Sequence, residues 1–385
     1  MRPLRIAIAP DSFKGSMTAQ TAARRLESGF RRVFPEAEIL RIPMADGGEG
    51  TAAILVEAAS GRWVESATVD PLGRPITAGF GLSGDGKEAF VEVAAASGLT
   101  LLEAASRDPA RTSTCGTGIL IRKALDCGPG RLLIGLGGSA TNDGGCGMAE
   151  ALGTRFLDAT GEAFSPTGGN LDRLERIDLS GLDPRLGAVE IEAVCDVTIP
   201  LCGPTGTSAL FAPQKGASPE LVARLDRNLA HLAAIMSRDL GREVAGIPGA
   251  GAAGGLGAGL LGFLGARLRP GVETVMERLR FRERIAGCDL VITGEGRFDG
   301  QSLLGKVVSG VAAAARTEGI ALIVLCGSLG EGLERIHDHG VAAFLATSGP
   351  DREESELRRH GPERLENLAE ECARLLRLGA ARLDR

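Results

Sequence analysis

Short apolar segments alternate with longer amphipathic segments at both ends of the chain, and this alternation predicts an α/β fold. The predicted strands of these two regions cover 4–9, 39–43, 289–293, 322–326 and 342–346. The helical patterns with the clearest apolar faces cover 18–34 and 362–378. Strands separated by helices favour a doubly wound, mostly parallel sheet of the Rossmann or flavodoxin-like type.

The middle of the chain has a different pattern, which predicts a second domain of mixed α/β type. It begins with a meander of three short strands, at 63–69, 76–82 and 89–94. The further elements predicted here are a helix at 112–126, a strand at 131–138, a hairpin at 154–170, a strand at 189–194 and a helix at 220–240. We therefore expect a discontinuous doubly wound domain, 1–60 plus 287–385, interrupted by a mixed domain at 61–286, with the active-site cleft between them.

A long uncharged segment at 246–266 raises the question of a membrane span. Eight of the 17 residues from Gly249 to Gly265 are glycine, and flanking aromatic residues are missing. A glycine loop that enters a tightly packed buried helix explains this composition better. The sequence therefore predicts no membrane association.

Composition narrows the possible partners. Among 385 residues there are one Trp and no Tyr, and the net charge is −6, so a nucleic-acid-binding surface is not expected. None of the eight cysteines forms a C-x-x-C motif, which favours reduced thiols and a cytoplasmic protein. A small anionic substrate remains possible because a local cluster of donors matters more than the total charge.

The most informative stretch, 289–306, places polar residues directly after an apolar strand. Its loop carries two glycines, Gly294 and Gly296, next to three charged residues, Glu295, Arg297 and Asp299. In an open α/β sheet, ligands bind at the carboxyl ends of the strands. The run from Gly300 to Lys306 matches G-x-x-x-x-G-K, but the next residue is Val307, so a true P-loop is not predicted.

Two further strand ends near the N-terminus carry the same mixture of acid, hydroxyl and ammonium groups. Asp11, Ser12 and Lys14 follow the first predicted strand, and Asp46 and Glu49 follow the second. Acidic groups at such positions often cap helices. Their repetition at consecutive strand ends favours a functional interpretation.

The middle domain offers a second group of candidates. The loop after the strand at 131–138 contains Ser139, Thr141, Asn142 and Asp143, which suit contacts with a phosphate or a hydroxy acid. Asp196 lies directly at the end of the strand at 189–194, and a long loop with no predicted element of its own follows, ending near Lys215. Loops of that length are usually functional.

Phosphoryl transfer requires the functional groups found in these loops. It needs donors for the phosphates, a carboxylate-held magnesium ion and a base near the attacking hydroxyl. We assign catalytic, substrate, phosphate and metal roles from the residue chemistry. The catalytic residues are Asp196, Lys14 and Asp46, and the substrate-binding residues are Ser139, Asn142, Asp143, Thr205 and Lys215. The phosphate-binding residues are Asp11, Ser12, Gly294, Gly296, Arg297 and Lys306, and the metal ligands are Glu295, Asp299 and Glu49. The residues alone thus indicate an α/β enzyme that handles a phosphorylated or carboxylated small molecule.

Six long segments, in the same order and covering nearly the whole chain, resemble the type-1 glycerate kinase family. They are IAPDSFKGSMTA, PMADGGEGT, GLGGSATNDGGCGMAEALG, CDVTIPLCGPTGTSALFAPQKGAS, GAGAAGGLGAGL and DLVITGEGRFDGQSLLGK. The resemblance implies ATP-dependent phosphorylation of D-glycerate with Mg²⁺ in a two-domain protein. It also implies 2-phosphoglycerate as the product, although no residue fixes which hydroxyl reacts.

Two alternatives are weighed against this interpretation. An NAD(P)-dependent hydroxy-acid dehydrogenase is disfavoured because APDSFKG stands where a G-x-G-x-x-G fingerprint would follow the first strand. A non-catalytic sensor of organic acids is disfavoured because its acidic strand ends would repel a carboxylate. The sequence leaves open whether the protein is a monomer or a homodimer.

Overall fold

The structure is a computed structural model that describes residues 3–303, 305–348 and 354–383. Its strands are β1 Arg5–Ile8, β2 Glu38–Arg41, β3 Arg62–Val69, β4 Pro75–Leu82, β5 Glu88–Glu92, β6 Arg131–Gly135, β7 Arg155–Leu157, β8 Arg176–Asp178, β9 Glu190–Val194, β10 Arg267–Arg269, β11 Leu290–Thr293, β12 Arg297–Phe298, β13 Ala321–Cys326, β14 Ser328–Leu329 and β15 Val341–Ala346. Its α-helices are α1 Ala19–Val33, α2 Thr51–Ala58, α3 Ala94–Ser97, α4 Cys115–Leu125, α5 Cys146–Ala151, α6 Thr207–Phe211, α7 Pro219–Leu240, α8 Ala252–Leu264, α9 Gly271–Arg278, α10 Phe281–Ile285, α11 Val307–Thr317 and α12 Glu354–Leu383. Short 3-10 turns include Pro213–Lys215 and Gly300–Leu303.

The chain divides into two compact units. Unit 1 consists of Met1–Asp46 and Val272–Arg385, and unit 2 consists of Gly47–Gly271. These bounds differ from the predicted ones at 60/61 and 286/287. Helix α2 belongs to unit 2 because it packs on β4, where a side chain at Gly81 would lie 2.1 Å from Val56. Helices α9 and α10 belong to unit 1, where α9 packs against α11.

Unit 1 contains a five-stranded parallel sheet in the order β15-β13-β11-β1-β2. Counted within this unit, the order is 5-4-3-1-2, which is the flavodoxin-like arrangement. The doubly wound parallel sheet predicted from the sequence is therefore confirmed. The switch point of this topology lies between β1 and β11, whose backbones pair from Ile6–Leu290 to Ile8–Ile292.

The sheet of unit 1 is covered on both faces, which explains its almost wholly apolar strands. On one face Ile8 and Ile292 join a buried cluster with Phe30 of α1 and Leu365 of α12. Successive side chains of a strand point to opposite faces of the sheet. The buried Ala7 and Val291, which precede Ile8 and Ile292, therefore face the helices on the opposite side. These helices include α11, which contacts β11 and β13.

Unit 2 contains a six-stranded sheet in the order β10-β9-β6-β5-β4-β3. The first four strands are parallel, whereas β3, β4 and β5 form the antiparallel meander predicted from the sequence. The second, mixed α/β architecture is therefore also confirmed. Strands β6 and β9 are neighbours, so the loops at their carboxyl ends adjoin, and a hydrogen bond from Leu136 N to Val194 O joins them.

Two local predictions are wrong, and a third is right only in part. The hairpin expected within 154–170 forms only from Phe156 to Phe164, where Asp158 N donates to Glu162 O at 2.9 Å and Phe164 N donates to Phe156 O at 3.0 Å. Strand β7 pairs along its length with β8 at 176–178 instead. The loop after β9 contains helix α6 and a 3-10 turn rather than no element. The last helix begins at Glu354 and continues through Pro362, because its packing against Gly29 of α1 outweighs the lost N–H of the proline.

The glycine-rich segment forms a buried helix, as predicted. Helix α8 contains Ala253, Gly254 and Gly255 at positive φ, and a regular helix follows them. Within the described residues, no helix has the length and apolar character needed to cross a membrane.

Candidate active site

The loops after β1, β2 and β11 meet at the switch point of the unit 1 sheet. Asp11 N donates to Gly294 O at 2.8 Å, and Met44 N donates to Pro10 O at 2.9 Å. These bonds hold the polar strand ends PDSFKG, MAD and TGEGRFDG side by side in the crevice where flavodoxin-like sheets bind ligands.

Three carboxylates act on one another in this crevice. Burial, with the charges of Asp46 and Glu295, raises the pKa of Asp11 to about 7, although the Ser12 N–H and Lys14 oppose the shift. Burial also raises the pKa of Glu295. Such a cluster of mutually repelling acids stores electrostatic free energy that a bound cation would relieve.

The two glycines of the β11 loop allow close backbone approach. A side chain at Gly294 would lie 1.9 Å from Leu325 O, and one at Gly296 would lie 3.3 Å from Lys14 N. Hydrogen bonds from Gly327 N to Glu295 O and from Ser328 N to Gly296 O tie the same loop to the end of β13. Both glycines therefore shape the acidic loop, and their predicted contact with phosphate stays a prediction.

The remaining predicted residues of this loop differ in exposure. The Arg297 side chain is 69% exposed and pairs with Asp299 at 3.4 Å. Asp299 also accepts a hydrogen bond from Gln301 N at 2.9 Å, so its carboxylate is already engaged. Lys306 is partly buried at the start of α11, and its charge lowers the pKa of Glu295 against the larger effect of burial.

Unit 2 holds a second polar cluster, made by the loop after β6 and the segment that contains α6. Lys215 Nζ donates to Ser139 Oγ at 3.0 Å and to Thr141 O at 2.7 Å. Asn142 Nδ2 donates to Ser208 Oγ at 3.1 Å. All five residues are buried, which is unusual for so polar a group.

Three buried oxygens of this cluster have no hydrogen-bond partner within the described parts of the chain. They are Thr141 Oγ1, Asn142 Oδ1 and Thr207 Oγ1. Buried polar atoms are nearly always paired, so a group of unpaired ones indicates a site that a ligand or water completes. Thr207 and Ser208 were not among the predicted substrate residues, and Thr141 was noted in its loop but was not assigned to substrate.

The glycines at the start of α8 support this cluster. A side chain at Gly254 would lie 1.9 Å from Thr141 O, and Gly144 N donates to Gly254 O at 3.1 Å. A side chain at Gly255 would likewise lie only 3.0 Å from the Cα of Gly144. Glycine is therefore required at these positions, because the Thr141–Gly144 loop packs directly on the backbone of this segment.

Several predicted residues are exposed or already hydrogen-bonded within the protein. Thr205 and Glu49 are exposed. Asp143 is fully buried, but protein donors occupy its carboxylate: Thr114 N and Oγ1 at 2.8 Å each, and Gly145 N and Gly147 N at 3.2 Å each. Asp143 therefore organises the loop and the starts of α4 and α5.

Asp196 is partly buried at the carboxyl end of β9, as predicted. Its Oδ1 accepts a hydrogen bond of 2.7 Å from the backbone N–H of Gly271. Because β9 adjoins β6, Asp196 and the Ser139–Asp143 loop extend from the same edge of the unit 2 sheet.

A partly buried residue that the sequence did not reveal, Glu92, supports the start of α2 in unit 2. Glu92 Oε1 accepts a hydrogen bond from Ala52 N at 2.7 Å at the start of α2, and burial raises its pKa. Gly48, in the loop before α2, packs closely on Gly137. A side chain at Gly137 would lie 2.5 Å from the Cα of Gly48. No motif marks Glu92, because its position at the end of β5 matters only in the folded sheet.

The fold and these two clusters define an α/β protein equipped to bind small anionic ligands, a class that includes phosphotransferases. The sequence profile of the glycerate kinase family matches residues 6–377. The chain belongs to the glycerate kinase family.

Individual relatives are similar to this chain over nearly their whole length. A glycerate kinase of Halalkalibacterium halodurans is 49% identical over 368 residues, 96% of this chain and 97% of the relative. A glycerate 2-kinase of Escherichia coli K12 is 49% identical over 343 residues, 89% and 90% of the two chains. A crystal structure from Salmonella typhimurium LT2, provisionally assigned as glycerate kinase 2, is 45% identical with a TM-score of 0.86 and covers 99% and 100% of the two chains.

Proposed function

We propose that this enzyme transfers the γ-phosphoryl group of ATP to a hydroxyl of D-glycerate and forms 2-phosphoglycerate. The full-length match to the glycerate kinase family is the observation that carries the proposal, because the clusters alone would suit other anion-handling enzymes. The E. coli relative bears the name glycerate 2-kinase, which favours the 2-hydroxyl. The cytoplasmic location, the monomeric or homodimeric state and the shared cleft stay predictions.

The unit 1 cluster suits the phosphates of ATP. Lys14 and Lys306 bring positive charge to the switch point, where their fields act on Asp11 and Glu295 respectively. Flavodoxin-like sheets bind phosphorylated ligands in this crevice. We assign Lys14 and Lys306 to the phosphate groups.

Magnesium fits the same cluster. Its carboxylates have the chemistry that Mg²⁺ prefers, and Glu295 Oε1 is buried without a hydrogen-bond partner within the described residues. No group of three or more His, Cys, Asp or Glu side chains in the described parts forms a ready-made metal site. Magnesium is commonly held by one or two carboxylates together with substrate phosphates, and Asp11 and Glu295 would hold it here. When bound, the ion neutralises negative charge on the transferred phosphoryl group.

The unit 2 cluster suits glycerate, a hydroxy acid. Thr141 and Thr207 can donate their hydroxyl protons to a carboxylate, and Asn142 Oδ1 can accept a proton from a substrate hydroxyl. A site that hydrogen-bonds a substrate hydroxyl rejects analogues that lack it. The cluster therefore favours glycerate over simple carboxylic acids.

We assign Asp196 as the base. The substrate hydroxyl loses its proton to Asp196, its oxygen bonds to the γ-phosphorus, and the bond from that phosphorus to the departing ADP oxygen breaks. The hydrogen bond from Gly271 N fixes the Asp196 side chain through Oδ1.

A coupled ADP-release assay with D-glycerate, lactate and glycerol tests the proposal. We expect ADP formation only with D-glycerate, and its loss when EDTA removes magnesium. Proton-coupled ³¹P NMR of the product then identifies the isomer, because phosphorus at O2 couples to one methine proton and phosphorus at O3 to two methylene protons. Absence of ADP formation with D-glycerate would overturn the proposal, and a dehydrogenase or a sensor would produce none.

Asp196→Asn tests the base. Asn keeps an oxygen that can accept the Gly271 hydrogen bond, so stability should change little, while turnover should fall about 10²-fold through loss of the base. Steady-state kinetics and thermal unfolding measure the two effects.

Asp178→Asn is a matched control for this variant. Asp178 caps the backbone of Ser180 in the same unit, on a strand away from the polar cluster. Its turnover should match wild type. Near-normal turnover of Asp196→Asn would show that Asp196 is not the general base.

A further inference from the structure

The amine of Lys215 is an unusual feature of the unit 2 cluster. The side chain is only 2% exposed, and its Nζ donates to Ser139 Oγ and Thr141 O. An ammonium group has three N–H donors, whereas a neutral amine has two. The two hydrogen bonds therefore use both N–H donors of the neutral form, whereas the charged form has a third donor that they leave unused.

The charged form of Lys215 also lacks a nearby counterion. In the described parts of the chain, its Nζ bonds a hydroxyl and a carbonyl oxygen and forms no ion pair with a carboxylate. Asp143 is the charged group whose field acts on Lys215, but four protein donors already surround its carboxylate. The segment packed against Gly216 contributes Arg107, which would add positive rather than negative charge.

The surroundings of Lys215 suit an anion with an adjacent hydroxyl. Thr141, to whose carbonyl Lys215 donates, also carries the unpaired Oγ1, and the next residue carries the unpaired Asn142 Oδ1. A buried charge is tolerated when it is paired and hydrogen-bonded. A substrate carboxylate would supply the partner that the protein does not.

We propose that Lys215 is the counterion of the substrate carboxylate and that it takes up a proton from solution when the substrate binds. The proposal rests on the function assigned above and specifies how that site recognises its anion. The neutral amine gains one proton, its third N–H bonds a carboxylate oxygen, and no other bond forms or breaks.

The direction of the pH dependence follows from burial. Desolvation lowers the pKa of Lys215 to about 7, against a smaller opposing effect of Asp143. Below pH 7 the free enzyme already carries the ammonium, and above it the amine is neutral and binding must include protonation. The KM for D-glycerate should therefore rise about tenfold for each pH unit above 7.

Calorimetry measures the proton directly. D-glycerate is titrated into the full-length enzyme, saturated with magnesium and a non-hydrolysable ATP analogue, in phosphate and in Tris at the same pH. The difference in binding enthalpy between the buffers gives the number of protons taken up. We expect uptake approaching one proton at pH 8 and little at pH 6.

Variants separate this role from a structural one. Lys215→Met should raise the KM for D-glycerate by about 10²-fold, and its unfolding midpoint should stay near wild type because the loss of two hydrogen bonds is offset by removal of a desolvated amine. Lys215→Arg keeps a charge at every accessible pH, so its KM should lose the pH dependence even if affinity falls. Lys123→Met, at an exposed site on α4, is the control and should behave as wild type.

Two results would overturn the proposal in an enzyme that does phosphorylate D-glycerate. One is wild-type binding without proton uptake at pH 8, a measurement that depends on no variant. The other is a normal KM in folded Lys215→Met. If wild type forms no ADP with D-glycerate, the proposed function itself fails and this inference fails with it.

Discussion

Asp11→Asn is expected to lower turnover about 10³-fold while it stabilises the metal-free protein. Asn removes the charge at the switch point but keeps an oxygen for the Ser12 N–H, which now donates to Asp11 Oδ1 at 2.6 Å. Turnover should fall because a preorganised carboxylate that supports phosphate and metal is lost. Steady-state kinetics and chemical unfolding at pH 8 measure the two effects.

The gain in stability follows from linkage. The pKa of Asp11 is raised from 3.8 to about 7 in the folded protein, chiefly by burial and by Asp46. The folded state therefore binds more protons than the unfolded state between these values, and stability decreases as pH rises from about 4 through 7. Three pKa units correspond to about 4 kcal/mol, an upper estimate of what Asn recovers at pH 8.

Asp338→Asn is the matched control in unit 1. Asp338 is 59% exposed and pairs with Arg335, so its replacement should change neither turnover nor the pH dependence of stability. The assignment of Asp11 fails if Asp11→Asn retains wild-type turnover, or if its stability falls with pH as steeply as that of wild type.

The strand ends of unit 1 could be found from the sequence because both signals are local. Apolar runs such as Leu290–Thr293 mark strands, and acidic glycine loops follow them directly. The parallel-sheet rule then places such loops on one edge. What the sequence could not supply is the strand order, which puts Asp11 beside Glu295 and makes their pKa values depend on each other.

The unit 2 cluster was only partly predictable. The loops were found, but the choice among their polar residues depends on burial, which emerges from tertiary packing. Thr205 was selected and is exposed, whereas Thr207 and Ser208 are buried. The difference arises because α6 begins at Thr207 and turns these two side chains inward, and no pattern in the sequence predicted that helix.

The role of Asp143 likewise could not be predicted from the sequence. Its place in a polar loop suggested contact with substrate, yet its partners lie on Thr114 as well as on its own loop. Burial raises the pKa of its carboxyl, and hydrogen bonds from Thr114, Gly147 and Gly145 oppose that shift. A charge held in this way fixes the backbone from which Asn142 extends.

Asp143→Ala is therefore expected to destabilise the protein by about 4 kcal/mol, because it leaves buried donors of Thr114, Gly145 and Gly147 without an acceptor. Chemical unfolding measures the loss, and the KM for D-glycerate should rise as the Asn142 loop relaxes. Asp158→Ala is the control: it loses similar bonds to Thr160 and Glu162 near the surface, where water replaces them, at about 1 kcal/mol or less. Equal losses in the two variants would contradict a special role for burial at Asp143.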